Sequence, residues 1–526
     1  MGRGVRIAAF TAVLTLVVVA CGSRVVPLDI NAVGPGGQPI ANPTATGIAG
    51  PGVGPSVGPT TGAGGSQGLP PGLPGTTANC RGGATDKGVT ATTVKLGLVG
   101  AKTGSFPGQF DPNIEAVDAY LKMINAAGGV CGRRFQLFIR DDGGNRGQDE
   151  TRALELAKEV GIFAFVGSIS APDSDGGVAK VSRDYGIPDV GFPLSYERSE
   201  SRLTYGVPGQ LQRNLIGVAA SGSEYLNRLY GVKQIAILWV GESLVSKANA
   251  WGFEAAMLKS SEHNASGRVK ICFEQESNVF DNNFSTYADR MKAQCPTSRG
   301  PLAVYTTMEN SNNVKLADAM FQQGVKPKVF APTFTSYLPS FTRDERGSPR
   351  RSTDGAFIAM PQIPFERCAS VDSRGRPVPP CGHPELDRYV RALHRFEPGF
   401  KTPGSFGAPG WGQAALFVQA VAKCGAGLTR KCVLKEIDAI PSFSDNGFLS
   451  PTRPGDHKIY SADLLVQVRN GKFVEIQPNN KGGPKDAPDF WDVSHLFDWW
   501  EYFCGHKPDF PDRSEIDRFV TSCPDG

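Results

Sequence analysis

Histidine is scarce in this chain, six in 526 residues, and His263, His383, His394, His457, His495 and His506 all stand away from the loops that follow its strand-like stretches. The commonest general base is thereby missing from the places where an α/β enzyme would need it. No Cys-x-x-Cys occurs, so a zinc site has no ligand spacing to start from. There is no His-Glu-x-x-His and no Walker loop, and no Gly-x-Ser-x-Gly joins a strand to a helix. Charge is nearly balanced, with 55 Lys and Arg against 51 Asp and Glu, a formal net of +4. It forms no basic stripe, and nucleic acid is set aside as a partner. Past the N-terminal leader no apolar run reaches the length that crosses a bilayer. These absences point to no metal, no cofactor and no catalytic residue, and binding becomes the leading class.

What is present begins with that leader. Arg3 and Arg6 precede an apolar run from Ile7 to Ala20, too short to span a bilayer as a mature helix, so residues 1–20 read as a secretory signal. Val18-Val-Ala-Cys21-Gly22 resembles the lipobox of bacterial lipoproteins, which implies that Cys21 becomes the first mature residue and is acylated, with palmitate among the acyl chains. Two or more chains on one cysteine supply stable anchoring. The expected place is the outer face of the bacterial cytoplasmic membrane, with the lipid bilayer as a partner through Cys21. From Gly22 to Asn79, 58 residues hold 15 glycines and 10 prolines, too many for a packed domain. Residues 21–79 are therefore an anchored linker, which as a flexible coil spans roughly 40 Å.

Eleven cysteines less Cys21 leave ten, an even number that implies disulfides in an exported chain. Spacing suggests that neighbours pair: Cys80 with Cys131, Cys272 with Cys295, Cys368 with Cys381, Cys424 with Cys432, and Cys504 with Cys523.

At this length two or three domains are expected. Val94-Lys-Leu-Gly-Leu-Val99 reads as a buried strand, and a loop of small residues, Gly100 to Ser105, follows it. Val117, Leu121 and Ile124 then draw one stripe down a helix that starts near Pro112 and ends at Gly128-Gly129. A second strand, Phe135 to Ile139, ends on Asp141-Asp142 and completes a βαβ crossover. The alternation continues with strands Ile162–Val166 and Ile187–Val190. A second series from about Gln210 carries strands Gln234–Trp239, Val269–Phe273, Leu302–Tyr305 and Lys328–Phe330 with helices between them. Strands alternating with helices mean parallel sheets covered on both faces. Asn470-Gly471 joins Tyr460–Val468 to Lys472–Glu475 as a hairpin.

Ile124-Asn-Ala-Ala-Gly-Gly-Val-Cys-Gly-Arg133, followed by a strand and Asp141-Asp142, resembles the type I periplasmic-binding-protein family, specifically the receptors for branched-chain amino acids and amides. The resemblance runs from about Val94 to Ile476. It implies an α/β fold of two doubly wound parallel-sheet lobes joined by a multi-strand hinge. The segment Gly355–Met360 would rejoin the first lobe, so that residues 80–209 and 337–445 make lobe 1 and residues 210–336 and 446–476 make lobe 2. Residues 477–526 form an extension whose aromatics, Phe490 to Phe503, are expected to pack on the protein's own surface. The implied function is a solute-binding protein that closes over a small polar molecule and delivers it to the permease of an ABC importer. A ligand-sensing receptor and a secreted hydrolase on a related scaffold are the alternatives.

The loops after the strands of both lobes then face one cleft. In the first lobe Thr103, Gly104, Ser105, Ser168, Ser170, Ser195 and Tyr196 offer hydroxyls and backbone N–H groups suited to a carboxylate or another polar head, or else serve as ordinary helix caps. Phe110 matches an aromatic of the family's first loop, while Lys102 replaces its usual proline. In the second lobe Trp251 and Tyr305 are ligand contacts or core. Asp141 and Asp142 are expected to bond backbone rather than to act as an acid and base. Thr333 stands where amino-acid receptors of the family carry an acid, and Glu309 and Glu242 are the nearby acids that would compensate, or are solvated surface charges. The expectation is a ligand without a free α-ammonium group: an amide, a urea-like compound, or a small aromatic or aliphatic acid.

Overall fold

In a computed structural model of the chain the described residues are 80–476, apart from 173, 210–225, 228, 244, 248, 251–252, 254–268, 458–459 and 461, together with 491–492. Cys21 and the linker, Trp251, and Cys504 with Cys523 lie outside them, as does the extension apart from residues 491–492.

The first unit is the one its apolar pattern implies. β1 (Thr93–Gly100) is buried from Leu96 onward, as befits a central strand covered on both faces. α1 (Asp111–Ala126) carries Pro112 in its first turn, where no N–H is needed. It ends before Gly128 and Gly129, both at positive φ. β2 (Arg134–Asp141) lies parallel to β1. α2 (Arg146–Glu155) is capped by the Asn145 side chain, which accepts from the N–H groups of Gly147 and Gln148, and runs on into a π-helical turn, Leu156–Val160. β3 (Ala164–Val166), α3 (Gly176–Tyr185), β4 (Asp189–Gly191), α4 (Tyr196–Ser199) and β5 (Thr204–Gly206) complete the lobe. The sheet is wholly parallel in the order β2-β1-β3-β4-β5, so its switch point falls between β1 and β3.

The second lobe repeats the scheme with β6 (Gln234–Val240), β7 (Lys270–Ser277), α5 (Phe284–Gln294), β8 (Leu302–Thr307), α6 (Asn310–Gln323) and β9 (Val329–Pro332). Its parallel order is β7-β6-β8-β9, with the switch between β6 and β8.

β10 (Phe357–Met360) corrects the expectation that this segment rejoins the first lobe. It pairs antiparallel with β13 (Ala462–Arg469), and Phe357 is buried in one cluster with Ile235, Ala303 and Leu465 of the second lobe. β14 (Lys472–Ile476) returns from β13 across Asn470-Gly471, both at positive φ, and β15 (Trp491–Asp492) also pairs with β13. Between them a hairpin of β11 (Cys368–Val371) and β12 (Pro377–Cys381) precedes α7 (Pro384–Phe396), α8 (Gly404–Cys424) and α9 (Arg430–Asp438). Of these helices, α8 packs against α1 and the first sheet. The Trp411 ring of α8 meets Tyr120 of α1 edge-on at 4.6 Å, and Phe417 meets Phe135 and Phe163 at 6.1 and 6.3 Å.

Four disulfides join the expected neighbours, Cys80 to Cys131, Cys272 to Cys295, Cys368 to Cys381 and Cys424 to Cys432. Among the described residues no helix is long and apolar enough to cross a membrane.

Candidate functional site

Both switch points open on one cleft of about 330 Å³, near the low end of the ~300–1,000 Å³ that small-molecule sites occupy. Loops after β1, β3 and β4 form one wall, and loops after β6, β7, β8 and β9 form the other.

The first loop is held from behind. Asp141, at the end of β2, accepts from the N–H groups of Lys102 (3.0 Å), Thr103 (3.4 Å) and Gly143 (3.0 Å) and from the Thr103 hydroxyl (2.8 Å). Burial opposes its charge, but the bonds from Gly143, Thr103 and Lys102 outweigh burial and hold the carboxyl below its ordinary pKa. Gly104 sits at φ +93°, where a Cβ would come within 2.0 Å of the Gly143 carbonyl oxygen, so only glycine fits. Asp142 is buried, accepts from Gly144 N–H at 2.9 Å, and is pushed up by that burial. Both carboxylates bond backbone, as expected of them.

Of the residues singled out from sequence, Ser105, Phe110, Glu309 and Thr333 line the cleft, and so does Glu242 at its exposed edge. Thr103 and Gly104 shape the loop without lining it. Three serines turn inward. Ser168 Oγ accepts from Val99 N–H at 3.1 Å inside the sheet edge, buried Ser170 lies beside Asp142, and Ser195 caps α4 by accepting from Arg198 N–H at 3.3 Å. Tyr196 follows as the first residue of α4, outside the cleft lining. Tyr305 lies in the core, the second of its two expected places: it is fully buried, stacks on Phe253 at 5.2 Å and donates its hydroxyl to Asn227 Oδ1 at 2.8 Å. The alternation of side chains along β8 turns it to the helix-covered face.

The sequence reading missed an aromatic box. Phe110 and Phe192 of the first lobe lie 5.2 and 5.3 Å from Phe406 at the start of α8, and Phe334, from the loop after β9, reaches across to Phe406 at 5.4 Å and Phe192 at 6.0 Å. Phe106 stands 6.3 Å from Phe110. Phe280, 73% exposed, hangs at the second wall. Phe106 and Phe192 follow strands and were open to inference from that position. Phe406, reached after two hundred further residues, carries no local signal.

The second wall is more polar. Ser246 Oγ accepts from Val240 N–H (2.8 Å) and donates to the Thr307 carbonyl (2.5 Å), while Thr307 Oγ1 donates back to the Ser246 carbonyl (2.7 Å). The hydroxyls of Thr333 and Thr335 lie 2.9 Å apart, and Thr335 donates to Met308 carbonyl oxygen at 3.1 Å. Glu309 caps α6, its Oε1 accepting from Asn312 N–H at 3.0 Å and Ser311 Oγ at 2.9 Å. Its Oε2 is buried without a partner, and burial, only partly offset by those bonds, raises its pKa. No Lys, Arg or His stands among the described lining residues. Among the described residues, no group of three or more His, Cys, Asp or Glu is placed to hold a metal.

A family model described as periplasmic binding protein matches residues 93–472. No curated protein sequence matches the chain. Solved structures do. The fatty acid ABC transporter substrate-binding protein of Thermomonospora curvata superposes with a TM-score of 0.57 at 15% identity, covering 80% of this chain and 96% of its own. The branched-chain amino acid transporter substrate-binding protein of Streptococcus pneumoniae, in complex with isoleucine, gives 0.56 at 14%, with 74% and 100% covered. A possible leucine/isoleucine/valine-binding protein of Rhodopirellula baltica gives 0.57 at 14%, with 74% and 97% covered.

Proposed function

The chain belongs to the periplasmic-binding-protein family, and from that premise we propose that it is an extracytoplasmic receptor whose two lobes close on a small solute and present it to the permease of an ABC importer. The observation that carries this reading is the shared cleft, built by strand-end loops of both lobes at the switch points of both sheets. The lobes we propose follow residues 80–209 with 337–445 and residues 210–336 with 446–476, β10 being counted with the second. Ser105, Phe110, Glu309 and Thr333 are the proposed solute contacts from the sequence reading, and the Phe192, Phe334 and Phe406 box joins them. The molecule binds without turnover in this reading.

A thermal-shift panel of amino acids, amides, urea, small aromatic acids and apolar amines tests it. A true solute at ~100 times its dissociation constant adds ~2.7 kcal/mol to stability. A melting temperature unmoved by every class would overturn the reading. Anchoring through Cys21 is proposed on the lipobox-like run alone. Cys21→Ser is expected to lose the lipid mass of the mature protein, and an unchanged mass would remove the anchor from the proposal.

A further inference from the structure

We infer that the solute is mainly apolar and presents an N–H donor, an amine or amide nitrogen, to Glu309, with no carboxylate seated on the first lobe. The inference rests on the solute-binding reading and narrows it to a ligand class.

The first lobe has little left to offer an anionic head. Of its candidate hydroxyls, Ser168 and Ser195 are fully buried, holding Val99 N–H and Arg198 N–H, and Thr103 and Ser174 already donate to Asp141 and to the Gly144 carbonyl, which leaves Ser105 at the exposed edge. Three backbone donors at the same edge are taken too. Leu194 N–H goes to Asp175 Oδ2 at 2.8 Å, Phe192 N–H to the Ser168 carbonyl at 3.1 Å, and Ile169 N–H to the Val99 carbonyl at 3.0 Å. The cation behind this wall, Arg198, is fully buried between Asp189 and Asp175. What faces the cleft on this side is mostly apolar, Phe106, Phe110, Ala171, Pro172, Phe192 and Leu194, with Ser105, Gln109 and Ser174 as its polar members. A carboxylate moved from water to that surface would lose its hydration and find few donors in return, the Ser105 hydroxyl and the Gln109 amide among the lining side chains.

The second lobe has the opposite shortage. Glu309 and Asn249 line the cleft, and each carries a buried oxygen without a partner, Glu309 Oε2 and Asn249 Oδ1, the latter on a residue only 8% exposed. The Asn249 amide can turn over and serve either way, but a carboxylate facing the cleft accepts only. A buried acceptor without a donor is costly, and a ligand that brings the donor recovers that cost on binding. With no cation among the described lining residues, the missing partner is an N–H group carried by the ligand itself. The phenylalanines around it then take the apolar body.

Calorimetry with three compounds of one hydrocarbon body, phenylbutylamine, phenylbutanamide and phenylbutanoate, tests this. The amine or the amide is expected to bind at least about tenfold more tightly than the acid. Glu309→Gln, which keeps an oxygen to cap α6, should weaken the amine by roughly tenfold to a hundredfold, while Glu242→Gln at the exposed edge changes it less than about threefold. An unchanged melting temperature of the unliganded Glu309→Gln protein separates a lost contact from a lost fold. Acid binding equal to or tighter than both partners overturns the inference, as does amine binding undiminished in Glu309→Gln. So does failure of all three compounds to bind. The solute-binding reading itself falls only if the wider thermal-shift panel is also silent.

Discussion

Behind the first lobe's wall of the cleft lies a guanidinium clamped between two carboxylates; behind the second lobe's wall lies a relay of hydroxyls. Arg198 gives Nε and Nη2 to the two oxygens of Asp189, each at 2.8 Å, and Nη1 to Asp175 at 2.9 Å and to the Ser168 carbonyl at 3.0 Å. The same Asp175 oxygen takes Leu194 N–H. One buried cation thus ties together the loops after β3 and β4 and the short α4. In the second lobe Ser243, Ser246 and Thr307 do the equivalent tying with neutral groups, Ser243 Oγ accepting from Ser246 N–H at 3.1 Å. A charged clamp fixes geometry strongly but leaves a large penalty if one member goes. A hydroxyl relay can lose one link at modest cost. The apolar first wall is therefore expected to be the rigid one, and the polar second wall the tunable one.

The largest expected effect comes from breaking the clamp. Asp189→Ala strips Arg198 of its bidentate partner and Thr204 Oγ1 of its 2.9 Å acceptor in a fully buried place. Removing one member of such a pair costs ~3–5 kcal/mol, read as a lower midpoint in urea unfolding. A loss under ~1 kcal/mol would erase the contrast between the walls. Next is the second lobe's own staple. The Cys272–Cys295 bridge closes a separation of 23 residues, and replacing both cysteines by serine should cost about 3 kcal/mol by chain entropy, somewhat less than the same change at Cys80–Cys131, separated by 51. Reversal of that order would place the first lobe's stability in the ion clamp rather than in its staple. Smaller still is Ser246→Ala, expected to cost roughly 1–2 kcal/mol because Val240 N–H and the Thr307 carbonyl are left to find other partners. A cost as large as that of Asp189→Ala would show the two walls to be equally brittle.

Much of this fold is legible in the sequence. Buried parallel strands write themselves as continuous apolar runs, which is why β1 and β6 stand within two residues of their expected bounds. Asn470-Gly471 names its own turn, and cysteines close in sequence found one another. Other features were invisible for physical reasons. β10 is four residues long and takes a partner more than a hundred residues away, a choice that packing makes and local pattern does not. A serine before a helix has one spelling whether it caps, as Ser195 does, or faces a ligand. Phe406 enters the cleft only because α8 crosses back over the first lobe.

If charge is what the first lobe is built with, that lobe should also carry the pH response, and Glu115 on α1 is the group to test. Burial pushes its carboxyl from an ordinary 4.5 up to about 7, with Asp111 and Glu397 adding to the rise and Lys102 and Lys401 opposing it. In the unfolded chain the proton leaves near the ordinary value, so between that pH and about 7 the native state binds more protons than the unfolded state. Stability from this group is therefore complete below the unfolded pKa and is lost as pH rises through the folded one. Glu115→Gln keeps the shape of the protonated acid and cannot ionise. It should match the wild type near pH 5 and exceed it near pH 8 by about 1 kcal/mol, since water reaches this half-buried side chain and screens it. Denaturant midpoints of both proteins measured from pH 5 to 8 check the sign: a variant curve parallel to the wild type's would take Glu115 out of the pH response, and a variant less stable at pH 8 would reverse the argument.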